Sequence, residues 1–237
     1  MRRRQIAIGA DTKMVRPGGR PSRTIIILLA VQAALFLIYA FADGPAFIKL
    51  HIALSASQAL GLFELWQPLT APWMHIEARA LIVNLVTLWF FGATLERWWG
   101  SKRFVTFFIV TGIVGMVAAM LVGTIWPTLI IGGSGGATMA MMIAFIVLFP
   151  NHLVFFYGVM PLKAKWLGLL LAAFVLIGIV VAGDYLSLAL QFGGALGGLL
   201  FLYNPRRMLA EARVKRAKAK FKVIEGDKKD DGPKYMN

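Results

Sequence analysis

Six apolar segments, separated by polar or charged stretches, dominate the hydropathy pattern of this chain. They run near Thr24–Ala42, Ala80–Leu95, Phe104–Thr124, Ser134–Phe149, Trp166–Ala182 and Tyr185–Tyr203. Each is long enough, or nearly so, to cross about 30 Å of hydrocarbon at about 1.5 Å per residue. The apolar runs do not alternate with polar residues, which predicts helices rather than strands of a barrel. The fourth segment is short and rich in glycine, so we expect it to lie among other helices.

Composition and charge support a membrane protein that crosses the bilayer several times. The chain is 59% hydrophobic with a mean hydropathy of +0.72, whereas soluble domains are about half apolar. It contains no cysteine, which excludes a disulfide framework and a cysteine-ligated metal. The net charge of +14 would suit a nucleic-acid partner, but its distribution favours membrane topology instead.

Lysine and arginine are concentrated in four regions that share one side of the membrane if the chain crosses six times. The N-terminal tail holds 7 of them, the loop around Arg97–Arg103 holds 3, the Pro161–Lys165 loop 2 and the tail from Arg206 onward 11. The loops on the other side carry only Lys49 and Arg79. The positive-inside rule then places both termini in the cytoplasm. We expect a bacterial inner membrane, with an organelle membrane left open by the arginine-rich start.

This pattern predicts one membrane domain over residues 24–204, flanked by two basic cytosolic tails. The N-terminal tail, residues 1–23, is expected to be disordered and to attract lipid. The C-terminal tail, residues 205–237, is expected to be partly helical and then disordered. Contact with anionic lipid and a solvated charged helix are equally open interpretations of its charge.

The sequence GGSGG at residues 132–136 places Ser134 at the mouth of an apolar segment. Polar groups inside a bilayer are costly and tend to be functional, and the neighbouring glycines leave the hydroxyl uncovered. In a soluble enzyme Gly-x-Ser-x-Gly suggests the strand-to-helix turn that carries a nucleophile, but the flanks here are membrane helices. Taken alone, the motif favours a serine that caps the start of a helix.

Two further polar residues stand near the second apolar segment. Asn84 lies inside it, where its amide can donate to an oxyanion or to a neighbouring helix. His75 lies at its outer end, where it is expected to be an interfacial histidine. The other histidines, His51 and His152, lack paired spacing, so we expect no metal site and no cofactor.

The sixth segment presents a flat face of glycines. Gly194 and Gly198 lie four residues apart, which favours close contact with another helix. We expect that partner to be the glycine-rich start of the fourth segment, where Gly132 and Gly135 lie. Gln191 precedes Gly194 by three residues and so points at the same contact, where its amide is expected to meet the serine hydroxyl. An amide cannot act as a base at neutral pH.

In order and spacing these motifs resemble the rhomboid family of intramembrane serine proteases over about residues 24–204. The matching stretches are ELWQPLT at 64–70, WMH at 73–75, an asparagine nine residues after that histidine, GATLERWWG at 92–100, GGSG at 132–135 and the final Gly-x-x-x-Gly. The resemblance implies an all-α bundle of six transmembrane helices, with an active site that lies below the outer surface and is reached by water. It also implies Ser134 as nucleophile, Asn84 as oxyanion donor, and transmembrane segments of other membrane proteins as substrates.

The chain departs from that pattern at positions that serve one chemistry. In the family a histidine base stands where this chain has Gln191, and a second histidine that supports the oxyanion stands where it has Ala80. An aromatic residue that packs on the base is replaced by Thr138, and the arginine of the first loop by Gln67. Base, packing partner and one oxyanion donor are therefore missing together, which predicts that the chemistry is gone.

The sequence thus predicts a rhomboid-like pseudoprotease that binds transmembrane segments, alongside lipids, without cutting them. The alternative is an active intramembrane serine endopeptidase with Ser134 as nucleophile and a non-standard base. Asp184 lies two helical turns, or about 10 Å, from Gln191, which is too far for that role. A small transporter or channel is disfavoured, because the apolar segments hold few ionisable groups and show no inverted repeat.

Overall fold

The computed structural model describes residues 20–41, 51–126, 129–151, 153–156 and 160–203. Its helices are α1 Arg23–Phe41, α2 Gln67–Thr70, α3 Ala78–Trp99, α4 Ser101–Gly123, α5 Gly135–Leu148, α6 Ala164–Ala182 and α7 Tyr185–Leu202. Two short antiparallel pairs join β1 Leu54–Ser55 to β2 Ile130–Ile131 and β3 Leu153–Phe156 to β4 Met160–Lys163. The expected loop at 161–165 is thus the end of β4 and the start of α6.

Five helices of the described residues, α1, α3, α4, α6 and α7, are long and apolar enough to cross a membrane. This confirms the predicted all-α membrane bundle. The sixth apolar helix, α5, has 14 residues and is about 21 Å long, so the count of six spans stays a prediction. Because α5 packs against α3, α4, α6 and α7 and buries ten of its residues, it lies among other helices rather than against lipid.

The backbones of α4, α5 and α7 approach one another where glycines remove side chains. A Cβ added to Gly194 would lie 2.1 Å from the carbonyl oxygen of Gly136, and one added to Gly198 would lie 2.9 Å from the Cβ of Ala140. On α4, a Cβ at Gly115 would lie 3.1 Å from the Cα of Gly136. The glycine face of α7 therefore lies directly on α5, and close backbone packing of this kind holds helices together in lipid.

The first helix is attached to the bundle by few buried side chains. Ser22 caps its start by accepting the backbone N–H of Ile25 at 3.1 Å. The same hydroxyl donates to Glu96 of α3, whose other carboxylate oxygen accepts from Ser101 at 2.6 Å. The buried residues of α1 are Ile25, Leu28 and Gln32. One end of α1 is thus attached through the Glu96 carboxylate, and its middle is held by the buried side chains of Leu28 and Gln32.

Residues 51–77, which precede α3, are folded onto the N-terminal end of α5. Antiparallel pairing sets Leu54 opposite Ile131, and the backbone N–H of Gly133 donates to the carbonyl of Ala71 at 2.9 Å. A Cβ on Gly132 would lie 2.4 Å from the carbonyl oxygen of Met74, so this glycine packs on the loop rather than on a helix. The chain that leads into α5 is therefore fixed by the loop that precedes α3.

The described residues through Leu202 form one compact unit, and Tyr203 belongs to a second unit of which no other residue is described. The predicted tails at 1–23 and 205–237 lie almost entirely outside the described residues, as does His152.

Candidate active site around Ser134

Ser134 stands at the N-cap position of α5, but its hydroxyl makes no capping hydrogen bond. Gly133 before it has φ +114°, a backbone conformation that suits glycine alone. The Ser134 hydroxyl donates instead to Oε1 of Gln32 on α1, at 2.8 Å. Both side chains are buried, with exposures of 2% and 0%. The helix-capping interpretation is therefore wrong for the side chain, which reaches across to another helix.

The Gln32 side chain faces the serine with its oxygen because its nitrogen already donates a hydrogen bond elsewhere. Its Nε2–H donates to the backbone carbonyl of Leu28 at 3.3 Å, and turning the amide over would break that bond. Sequence reasoning missed this residue, although a signal was present. Gln32 is the one amide side chain of α1, and a polar group in mid-membrane is a functional candidate by default.

His75 is fully buried beside Ser134 rather than interfacial. Its Nε2 accepts from the side-chain amide of Asn84 at 2.8 Å and, more weakly, from the backbone N–H of Ser134 at 3.4 Å. An imidazole nitrogen that accepts carries no proton, so the ring is neutral with its proton on Nδ1. Burial lowers the pKa of His75 to about 4, while the backbone of Trp73 raises that pKa by a smaller amount.

Asn84 is oriented from α5. Its Oδ1 accepts from the hydroxyl of Thr138 at 2.9 Å, which leaves its amide hydrogens for His75. An oxyanion site consists of donors aimed at one point. Here the expected donor, the Asn84 amide, and the backbone N–H of Ser134 both reach Nε2 of His75. The imidazole nitrogen therefore occupies the point at which these donors converge.

Gln191 lies next to this network without joining it. Its Nε2 is 3.1 Å from the position of a Cβ on Gly135, and its buried Oε1 has no hydrogen-bond partner among the described residues. The expected bond between Gln191 and Ser134 is therefore wrong: the serine hydroxyl is taken by Gln32, whose oxygen is already oriented. Gly135 is small enough to admit the Gln191 amide beside the serine.

The arrangement offers no strong base to Ser134. The amide oxygen of Gln32 does not take a proton at neutral pH, and Nε2 of His75 already accepts two hydrogen bonds. Asp184 is exposed, and its carboxylate accepts the backbone N–H of Ser187 at the start of α7. A serine hydroxyl without an adjacent base is a weak nucleophile. Within the described residues, the Ser134 hydroxyl therefore belongs to a hydrogen-bonded network without a strong base rather than to a catalytic dyad.

A bundle of apolar helices with a buried serine behind paired glycines is that of a polytopic membrane protein with a candidate site inside the bundle. The family model described as "Eukaryotic integral membrane protein (DUF1751)" matches residues 23–229, and the chain belongs to that family. Its curated relatives carry rhomboid names, so the predicted resemblance to rhomboids is confirmed and this is a rhomboid-family membrane protein.

Three relatives illustrate the range of these names. The chain is 29% identical over 105 residues to "Rhomboid protease GluP" of Bacillus subtilis, covering 44% of this chain and 20% of that one. It is 36% identical over 58 residues to "Inactive RHOMBOID-like protein 8" of Arabidopsis thaliana, covering 24% and 16%. It is 21% identical over 203 residues to "Rhomboid protein 1, mitochondrial" of Saccharomyces cerevisiae, covering 84% and 58%. The chain thus matches from 16% to 58% of the length of these relatives.

Proposed function

We propose that this chain is a rhomboid-like pseudoprotease, which binds transmembrane segments of other membrane proteins and does not cleave them. The observation that carries the proposal is the hydrogen bond from Ser134 to Gln32. The serine is present, but its proton is directed at an amide oxygen. Gln191, at the position where the family resemblance implies the histidine base, is an amide as well.

The loss of turnover expected without a base supports this proposal. In serine hydrolases with a triad, removal of one member lowers turnover by about 10⁴ to 10⁶. Here an amide stands at the position of the base, and the oxyanion donors already donate to His75. The name of one relative describes an inactive member of the family, whereas that of another describes a protease, so both outcomes occur among the relatives.

The partners and orientation follow from the same proposal. The helices face lipid, and a client would be a single transmembrane segment that reaches the bundle from the bilayer. The concentration of lysine and arginine in four regions of the sequence supports both termini in the cytoplasm. The family description names eukaryotic proteins and gives no support to the bacterial inner membrane expected from the sequence.

The test is cleavage and binding of a model single-span segment in proteoliposomes. The segment carries a donor fluorophore and the protein an acceptor, so that energy transfer reports association while electrophoresis reports cleavage. We expect association without cleavage, unchanged in Ser134→Ala, because binding does not use the hydroxyl. Cleavage by the unmodified protein that disappears in Ser134→Ala would overturn the proposal.

One observation favours a second function, an active protease whose base is His75. Its unprotonated Nε2 accepts the backbone N–H of Ser134 at 3.4 Å, so the imidazole lies beside the residue that carries the hydroxyl. A pKa of about 4 makes this nitrogen a weak base and argues against the role. The same assay decides: serine-dependent cleavage that is lost in His75→Asn would establish this function in place of the first.

A further inference from the structure

We propose that Gln32 is a positioning residue that holds the Ser134 hydroxyl as a hydrogen-bond donor and keeps it from any base placed at position 191. This inference rests on the proposed function and assigns to Gln32 its own part in keeping the serine unreactive, beside the missing base at position 191. It makes a distinct claim: a histidine introduced at position 191 would give the serine only part of the reactivity that it has once the Gln32 acceptor is also removed.

The geometry of the Gln32 contact supports a persistent bond. Oε1 of Gln32 lies 2.8 Å from the serine oxygen, within the ordinary range for a hydroxyl donor. Both side chains are buried in the bundle, so no bulk water competes for either partner. The bond from Gln32 to the carbonyl of Leu28 prevents the amide from offering a nitrogen instead.

Gln32 and a base at position 191 would compete for the same proton of the serine hydroxyl. Ser134 has one proton to donate, and a catalytic base must receive that same proton. The Gln191 side chain lies against Gly135, the next residue after the serine, so a histidine there would approach Ser134 from α7. Gln32 approaches it from α1. A new base must therefore displace an acceptor that is already in place.

The expected size of the effect is that of one neutral hydrogen bond. Such a bond shifts an equilibrium by about fivefold, so removal of the Gln32 acceptor should raise the reactivity of a Gln191→His protein by about that factor. Gln32→Met removes the acceptor with little change in side-chain volume. Leu28→Ala is the matched control, because it loosens the same face of α1 without touching the hydrogen bond to Ser134.

The experiment measures the rate at which a fluorophosphonate probe labels the full chain in proteoliposomes. The proteins compared are the unmodified chain, Gln32→Met, Gln191→His, the Gln32→Met/Gln191→His double variant and the Leu28→Ala/Gln191→His double variant, with Ser134→Ala as background. We expect Gln32→Met to raise the rate in the Gln191→His protein about fivefold and Leu28→Ala to leave it equal or lower. A merely structural role for Gln32 would lower the rate.

The outcomes separate this inference from the proposed function. Equal labelling of Gln191→His with and without Gln32→Met would overturn the role of Gln32 alone. Fast, Ser134-dependent labelling and cleavage by the unmodified chain would overturn the proposed function, whatever the Gln32 result.

If no variant labels, thermal unfolding of Gln32→Met, Ser134→Ala and their double variant decides. If Gln32 and Ser134 share a hydrogen bond, the drop in melting temperature of the double variant should be about 2–4 °C smaller than the sum of the two single-variant drops. Strict additivity would overturn the inference.

Discussion

The contact between α7 and α5 can be tested by adding one methyl group. In Gly194→Ala the new carbon would lie 2.1 Å from the carbonyl oxygen of Gly136 and 2.4 Å from its Cα, whereas ordinary contacts begin near 3.4 Å. The two helices must therefore separate by about 1 Å. Overpacking a core costs about 1–3 kcal/mol when side chains can adjust. Because the obstructing atoms are backbone, we expect a loss near the upper end, about 3 kcal/mol.

The assay is thermal unfolding of the purified protein in detergent, with Gly178→Ala as the matched control. Gly178 lies within α6, and among the described residues no atom lies within 4 Å of a Cβ added to it. Alanine is favoured over glycine inside a helix by about 1 kcal/mol, so the control should be as stable as the parent or more so. Equal melting temperatures for Gly194→Ala and Gly178→Ala would refute the close contact.

Two further predictions concern polar groups at opposite ends of the bundle. The native state keeps His75 neutral while the unfolded state binds a proton below pH 6.5, so the free energy of unfolding should fall by about 3 kcal/mol as the pH drops from 6.5 toward about 4. Melting temperatures across that range measure this loss. Glu96→Ala removes the acceptor shared by Ser22 and Ser101 and should cost about 2–3 kcal/mol in the same unfolding assay, with Glu96→Gln losing about half as much.

Each of these predictions has an outcome that contradicts it. His75→Asn should flatten the pH dependence, and an identical slope in the variant would show that other groups cause it. For the carboxylate, a Glu96→Gln protein as unstable as Glu96→Ala would mean that packing, rather than the two serine bonds, gives this residue its effect.

The membrane helices were predictable because lipid imposes a simple requirement. A backbone in hydrocarbon must satisfy its own hydrogen bonds over a fixed thickness, so the length of each apolar run nearly determines the helix. The predicted start at Trp166 and the observed start of α6 at Ala164 differ by two residues. The glycine spacing on α7 likewise predicted a close neighbour, since few other reasons place glycines four apart in a helix.

The partners of Ser134 were not predictable from local pattern. Which face of α1 meets the bundle depends on tertiary packing, and α1 is apolar around most of its circumference, so its periodicity does not single out Gln32. The burial of His75 depends on how its own loop folds onto the start of α5, where Gly132 fits against the carbonyl of Met74. The sequence did show that Gln32 is a polar residue within an apolar helix. Such a residue is a functional candidate, but the sequence does not show which residue it contacts.

The glycines around Ser134 have a consequence for how members of this family are sorted. Gly136 and Gly194 are required by backbone-to-backbone contact, whether or not the serine ever reacts. A glycine signature of this kind would therefore survive the loss of enzymatic activity, because any replacement would first cost the fold. Cleaving and non-cleaving relatives should be told apart instead by the residues around the serine hydroxyl, here Gln32, which accepts its hydrogen bond, and Gln191, which lies beside it against Gly135.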